Sequence, residues 1–172
     1  MRTIERKERE RGASLMEAVL FLPILFMLTW GMIDLARIGM TYYELHKMMY
    51  SIAQYSVTSQ NVNFCDDADP VVAAAKNLAL RGSVDESAAL RLPSLTADLV
   101  TVRAERVDVD SQTPNECECS ATGCDAAAGG RGPDFIVVTI PDGYTVKTNI
   151  PFVPSETFLL RPKVRFPYGG GG

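Results

Sequence analysis

From Ala13 to Ile33 the chain is apolar apart from Ser14, Glu17, Thr29 and a few small or special residues. Its Leu, Ile, Phe and Met side chains surround the axis of a helix without leaving a polar face, unlike the one-sided stripe of a surface helix. About twenty such residues at 1.5 Å rise cross a hydrocarbon core of ~30 Å, so the segment 13–33 reads as a transmembrane helix. Beyond it, Leu35, Ile38, Tyr42, Leu45, Met49, Ile52 and Ser56 recur at alternating three- and four-residue spacing. That is a coiled-coil-like seam, and it extends the helix to about Gln60, for a length of about 70 Å counted from Ala13. Asp34 and Arg37 stand i,i+3 just past the apolar run and read as an exposed pair across one turn, worth little.

The remaining pattern alternates short helical and extended stretches. Asp69-Pro70 opens a helix as N-cap and N1 proline, Gly82 closes it, and Val71, Ala74, Ala75 and Leu78 give it an apolar face. Ser83 to Glu86 reads as a capping box for another short helix ending near Pro93. From Leu99 the period becomes two: Val100, Val102 and Ala104 share one face and Val107 and Val109 the other, which predicts a bulge near Glu105. Further strands are expected at 135–140, 144–150 and 158–166, with Pro141-Asp142-Gly143 as a turn and Pro162 confining the last strand to an edge or a bulged register. The expected fold class is α+β: a long N-terminal helix, transmembrane in its lower half, packed on a small antiparallel sheet with short helices.

Charge gives the helix a direction. The first eleven residues hold five cations and three acids, leaving 12 cations against 18 acids in the remainder of a chain with net charge -4. A basic head before an apolar span predicts a cytoplasmic N-terminus and an outer domain on the far side, and Trp30 suits the outer interface. The acidic body argues against nucleic acid as partner. Organisation follows: a basic leader at 1–12, the span at 13–33, its helical extension at 34–60, an outer domain at 61–168 and a flexible glycine tail at 169–172. Removal of the whole span as a secretory signal is disfavoured by its length and by the bulky Trp30 between Thr29 and Gly31.

The residue that needs a reason is Glu17, a carboxylate inside an apolar span. It follows a small-residue junction, Gly12-Ala13-Ser14-Leu15-Met16-Glu17, behind a short basic head. This resembles the cleavage site of type IV pilin-like proteins, cut after the glycine by a prepilin peptidase. The resemblance continues through RGASLMEAVLFLPILFMLTWGMIDLARIGMTYY, where Arg11-Gly12, Glu17, Pro23, Gly31, Asp34 and Arg37 stand where TadE-like minor pilins of the tight-adherence pilus carry similar residues. It implies a minor pilin or pseudopilin of a bacterial inner membrane, contributing to assembly or initiation of a Tad-type pilus. The implied partners are a related minor pilin, the major pilin, the inner-membrane assembly platform, prepilin peptidase and membrane lipid. The physics of the motif stands beside the likeness. Cleavage after Gly12 would give Ala13 a cationic amine near the depth of Glu17, and pairing that carboxylate with a neighbour's amine would neutralise both in an apolar bundle. Pro23 removes a helix hydrogen bond and can kink the span.

Cys65, Cys117, Cys119 and Cys124 all lie beyond the span, in what would be an oxidising compartment. Direct pairing of Cys117 with Cys119 would be strained, so Cys65 is expected to join one of the two and Cys124 the other, anchoring a long loop from Ser111 to Asp134. The spacing lacks the paired knuckles of a four-cysteine zinc site, and the acidic run at 65–69 lacks the glycine-turned loop of a calcium site, so no metal and no cofactor is expected. His46 is the only histidine, and there is no phosphate loop or nucleophile elbow, so no enzyme is expected. The competing function is a membrane-anchored outer domain that binds a partner without entering a pilus.

Overall fold

The first helix, α1, runs unbroken from Arg2 to Thr58 with Pro23 inside it. The computed structural model describes residues 2–59, 62–66, 68–85, 87–120, 123–124, 129–148 and 155–169, so Gln60, the far end of the expected strand 144–150 and the last three glycines lie outside the described residues. Contacts divide the chain into two units, Met1–Met40 with Val146–Phe158, and Thr41–Thr145 with Leu159–Gly172.

In the second unit the core is built from the helix upward. Leu45, Met48, Met49, Ile52 and Ala53 of α1 are buried in one apolar cluster. Helix α2, Pro70–Arg81, adds Val72, Ala75, Ala79 and Leu80. The sequence placed Val71, Ala74 and Leu78 on that buried face, but Leu78 is exposed and the face is rotated to 72, 75, 76, 79 and 80, which carries Lys76 and Asn77 inward. The caps fall where the sequence put them. Asp69 accepts from the N–H groups of Val71 (2.8 Å) and Val72 (3.2 Å), and also from Asn63 (3.0 Å). Gly82 closes the helix at φ 77°, the left-handed C-cap conformation that only glycine adopts without strain. Because Asp69 is buried and satisfies three donors, Asp69→Ala is expected to lower unfolding free energy by about 2 kcal/mol, the upper end for a cap. Chemical denaturation of the purified chain measures it, and a change below about 0.5 kcal/mol would show that α2 is held by packing alone.

The short helix expected to end near Pro93 does not form among the described residues, and the next helical turn is a 3-10 helix at Ala97–Leu99. The described residues between Ser83 and Pro93 form bends and turns, and Glu86 of the expected capping box lies outside the description. Local side chains capture the backbone instead: Asp85 N–H donates to Ser83 Oγ (3.1 Å), and Ser87 N–H donates to Asp85 (3.0 Å). That Ser87 N–H holds the Asp85 carboxyl below its usual range. Arg91 N–H then returns to the Leu80 carbonyl at 2.9 Å, folding the segment back on the end of α2.

A four-stranded antiparallel sheet carries the other half of the core. Its strands are β1 (Thr101–Val107), β2 (Pro114–Glu116), β3 (Phe135–Thr139) and β6 (Lys163–Pro167), in the order β2-β1-β3-β6. A separate two-stranded sheet joins β4 (Tyr144–Lys147) and β5 (Thr157–Leu160). The register aligns Val102 with Val138 and Val164, and Ala104 with Ile136 and Phe166, so one face presents an apolar block to the core. On the opposite face charged side chains surround Val137 and Phe135: Glu105 accepts from Lys163 (3.3 Å) and Arg165 across β3, Arg103 pairs with Glu116, and Arg165 lies over the Phe135 ring.

Two strand expectations are corrected. No bulge occurs near Glu105: β1 keeps one register to Val107 because β2 supplies partners for 105–107, and Val109 lies in the turn beyond. The strand expected from 158 to 166 is two strands, β5 and β6, in different sheets, and Pro162, which lacks the N–H a ladder needs, sits buried at the break.

Candidate functional site

Two parts of the chain hold most of the residues singled out in the sequence, the foot of α1 and the disulfide loop. At the foot, helical backbone continues through Gly12 and Ala13, and Ala13 and Glu17 stand i,i+4, one turn apart on the same face. Glu17 is exposed and makes no ion pair among the described residues. Above it the apolar side chains are exposed in every direction: Leu20, Phe21, Ile24, Leu25, Phe26 and Leu28 step round the whole circumference. Pro23 leaves the residue 19 carbonyl without its helical donor, while Thr29 returns its hydroxyl to the Leu25 carbonyl. Within residues 19–58 an 18-residue window is apolar enough to cross a membrane, and it is almost wholly unburied by the protein itself. One such helix fits single-pass anchoring.

The buried stripe of α1 follows a straight helix rather than the strict heptad of the seam. Leu45, Met49 and Ile52 are buried and Ile38 half-buried, but Leu35 and Tyr42 are 70% and 45% exposed. In their place stand Gly31, Asp34 and Thr41, all at least partly covered. At 3.6 residues per turn a seven-residue repeat drifts about 20° per heptad, which moves Leu35 off the face and Asp34 onto it. Asp34 is therefore no surface pair. It is 4% exposed, with Arg37 at 3.6 Å and in solvent. A buried carboxylate at the top of the span is the residue that sequence reasoning undervalued; its spacing of eleven from Leu45, three full turns, was the available sign.

The disulfide loop is built from β1 outward. Bridges join Cys65 to Cys119 and Cys117 to Cys124, each with Cα atoms 5.6 Å apart. The loop 111–134, expected to lack regular structure, contains β2, which places Cys117 beside β1, its N–H donating to the Ala104 carbonyl at 2.9 Å. Arg106 then ties the loop together. Its guanidinium donates to the carbonyls of Gly123 (3.0 Å), Arg131 and Gly132 (3.5 Å). Asp134 accepts from Val107 N–H at 2.9 Å and closes the far end. Gly123 is the sequence feature that was missed here: a Cβ on it would sit 1.5 Å from the Glu118 carbonyl oxygen, so only glycine fits. Cys124 is buried in the core and Cys119 is exposed. Among the described residues no three His, Cys, Asp or Glu side chains converge as metal ligands.

At the tip of the β1–β2 hairpin the turn is held tightly. The Asp108 carboxylate accepts from Asp110 N–H (2.8 Å) and Ser111 N–H (3.0 Å), and Gln112 donates from its backbone to Asp108 and from its side chain to Val109 O. The Ser111 and Asp110 N–H groups lower the Asp108 pKa. The turn thus gains support from the ionised acid above the ordinary carboxylate range near 3.9, and loses it as pH falls through the lowered folded value.

Neither a curated protein nor a solved structure matches the chain. Residues 12–54 match the family described as TadE-like protein, which suggests association with a Tad pilus. The match begins at Gly12, takes in Glu17, Pro23 and the whole exposed apolar stretch, and ends beside Ile52 and Ala53 where α1 is buried in the core. The chain is thus one that carries a TadE-like segment as the lower and middle parts of its long helix.

Proposed function

We propose that this protein is a structural minor pilin or pseudopilin that contributes to assembly or initiation of a Tad-type pilus, and not an enzyme. The observation that carries the reading is the coincidence of the TadE-like segment with the all-round apolar helix that holds Gly12, Ala13 and Glu17. A helix apolar on every side is covered by lipid before assembly and by neighbouring helices after it. The basic head stays on the cytoplasmic side of the inner membrane and the disulfide-bonded domain lies beyond it. Its partners on this reading are a related minor pilin, the major pilin, the assembly platform and prepilin peptidase.

Cleavage after Gly12 would place a free amine on Ala13, one turn from Glu17, with Glu17 then able to meet the amine of a neighbouring subunit. Protein extracted from native membranes is therefore expected to begin at Ala13, by intact mass and N-terminal sequencing. A chain that keeps residues 1–12 in cells with active prepilin peptidase would remove the amine and favour a membrane-anchored binding domain instead.

A further inference from the structure

A groove of about 380 Å³ lies in the second unit, lined by Glu44, Lys47, Met48 and Ser51 of α1, Ala79 of α2 and Arg91. The four α1 positions are spaced i, i+3, i+4 and i+7, one continuous face. Met48 and Ala79 belong to the buried core and give the groove an apolar base. Lys47 and Arg91 are exposed, and among the described residues neither is in an ion pair. With Glu44 as the one carboxylate, the lining carries two cations against one anion on a chain whose net charge is -4. The groove therefore suits an apolar side chain flanked by acids.

The chain itself presents that shape. Val109, between Asp108 and Asp110 at the tip of the β1–β2 hairpin, is 80% exposed, the most exposed large apolar side chain among the described residues. Its exposure also shows that it does not fill the groove of its own chain. The hydrogen bonds of the Asp108–Gln112 turn fix it in advance, so docking costs little conformational entropy.

We propose that the Asp108–Val109–Asp110 turn of one copy docks into the Lys47–Met48–Ala79–Arg91 groove of a second copy. Val109 covers Met48 and Ala79, and the two carboxylates face Lys47 and Arg91. Knob and groove are different patches, so the contact is heterologous and joins copies head to tail.

Full-length protein in detergent micelles, with a benzophenone-bearing amino acid in place of Val109, tests this. Ultraviolet irradiation is expected to give covalent dimers and higher oligomers whose cross-linked peptides contain residues 44–51 or 79–91. Asp110→Lys in the same chain is expected to cut the yield at least about tenfold, since it sets like charges against each other. Combining it with Lys47→Glu, an exposed substitution that leaves the core intact, is expected to restore most of the loss; Arg91→Glu should add to the rescue. Thermal unfolding of each variant, compared with wild type, separates lost docking from lost fold. Monomers alone, cross-links mapping to the apolar span or to another surface, or a charge reversal that does not rescue in folded protein would each overturn the proposal.

Discussion

Glu17→Gln is expected to leave the protein inserted, folded and disulfide-bonded while removing it from the complex with pilin partners that the proposed function entails. The side chain lies in the exposed part of α1, far in sequence from the buried stripe that begins near Gly31, so the fold does not depend on it. On the proposed function its carboxylate meets a group supplied by another subunit. If that group is an N-terminal amine within an apolar bundle, removing the acid strands a buried cation and costs about 3–5 kcal/mol, against under about 1 kcal/mol for an exposed pair. The difference is at least about 100-fold in association. Co-purification of the variant with its partners from native membranes, alongside pilus yield, measures both ends of the chain of cause. Wild-type amounts of complex and pili would reduce Glu17 to an acid tolerated near the interface.

The second large effect belongs to the bridges, and it is unequal. Cys65–Cys119 closes a separation of 54 residues, Cys117–Cys124 one of 7. In the chain-entropy account the long loop is worth about 4 kcal/mol and the short one about 2.5 kcal/mol. Replacing Cys65 and Cys119 by alanine should therefore lower the folded-to-unfolded ratio about tenfold more than replacing Cys117 and Cys124. Alanine is the right substitute because Cys124 sits in the apolar core, where a serine hydroxyl would add a desolvation cost of its own. Urea unfolding of the two double variants in micelles, followed by tyrosine fluorescence, gives the comparison. Equal losses, or a larger loss from the short bridge, would show that the packing of Cys124 rather than loop closure sets the contribution.

What the sequence made legible was whatever depends on neighbours along the chain. The far end of α1, the Asp69 and Gly82 caps of α2, and β1 and β3 all rest on periodicity and on residues with strong local preferences, and they stand close to where the pattern placed them, whereas α1 begins at Arg2 rather than at Ala13. The misses depend on what arrives from elsewhere. Leu35 and Tyr42 fit a heptad as well as Asp34 and Thr41 fit a straight helix, and only the surroundings of α1 decide the phase. Strand β2, Pro-Asn-Glu, has no strand propensity of its own and exists because β1 offers it an edge beside Cys117. The Ser83–Glu86 pattern suits a cap and a bend equally well, and the return of Arg91 to Leu80 favours the bend. In the candidate site the Gly12–Glu17 spacing is local in the sequence, and the TadE-like match begins at Gly12. The burial of Asp34 was signalled only by its spacing from Leu45, since a carboxylate next to an arginine looks the same in sequence whether exposed or buried.

The pairing of the cysteines has a consequence for how the disulfide-bonded domain matures. In chain order the bridges overlap: Cys117 lies inside the span from Cys65 to Cys119, and Cys119 lies inside the span from Cys117 to Cys124. On the proposed topology the residues nearest the apolar helix cross first and offer Cys117 to the waiting Cys65 before Cys119 has emerged, so thiols joined in order of appearance give the wrong partner. The native set is reached by delaying oxidation until β1 and β2 have placed Cys117 toward Cys124, or by exchange in which a free thiolate reopens the early bridge. Such reshuffling takes seconds to hours without a catalyst and depends on an isomerase for speed. Maturation of this domain is thus tied, on the proposed topology, to the thiol-exchange capacity of the receiving compartment, and not merely to its oxidising power.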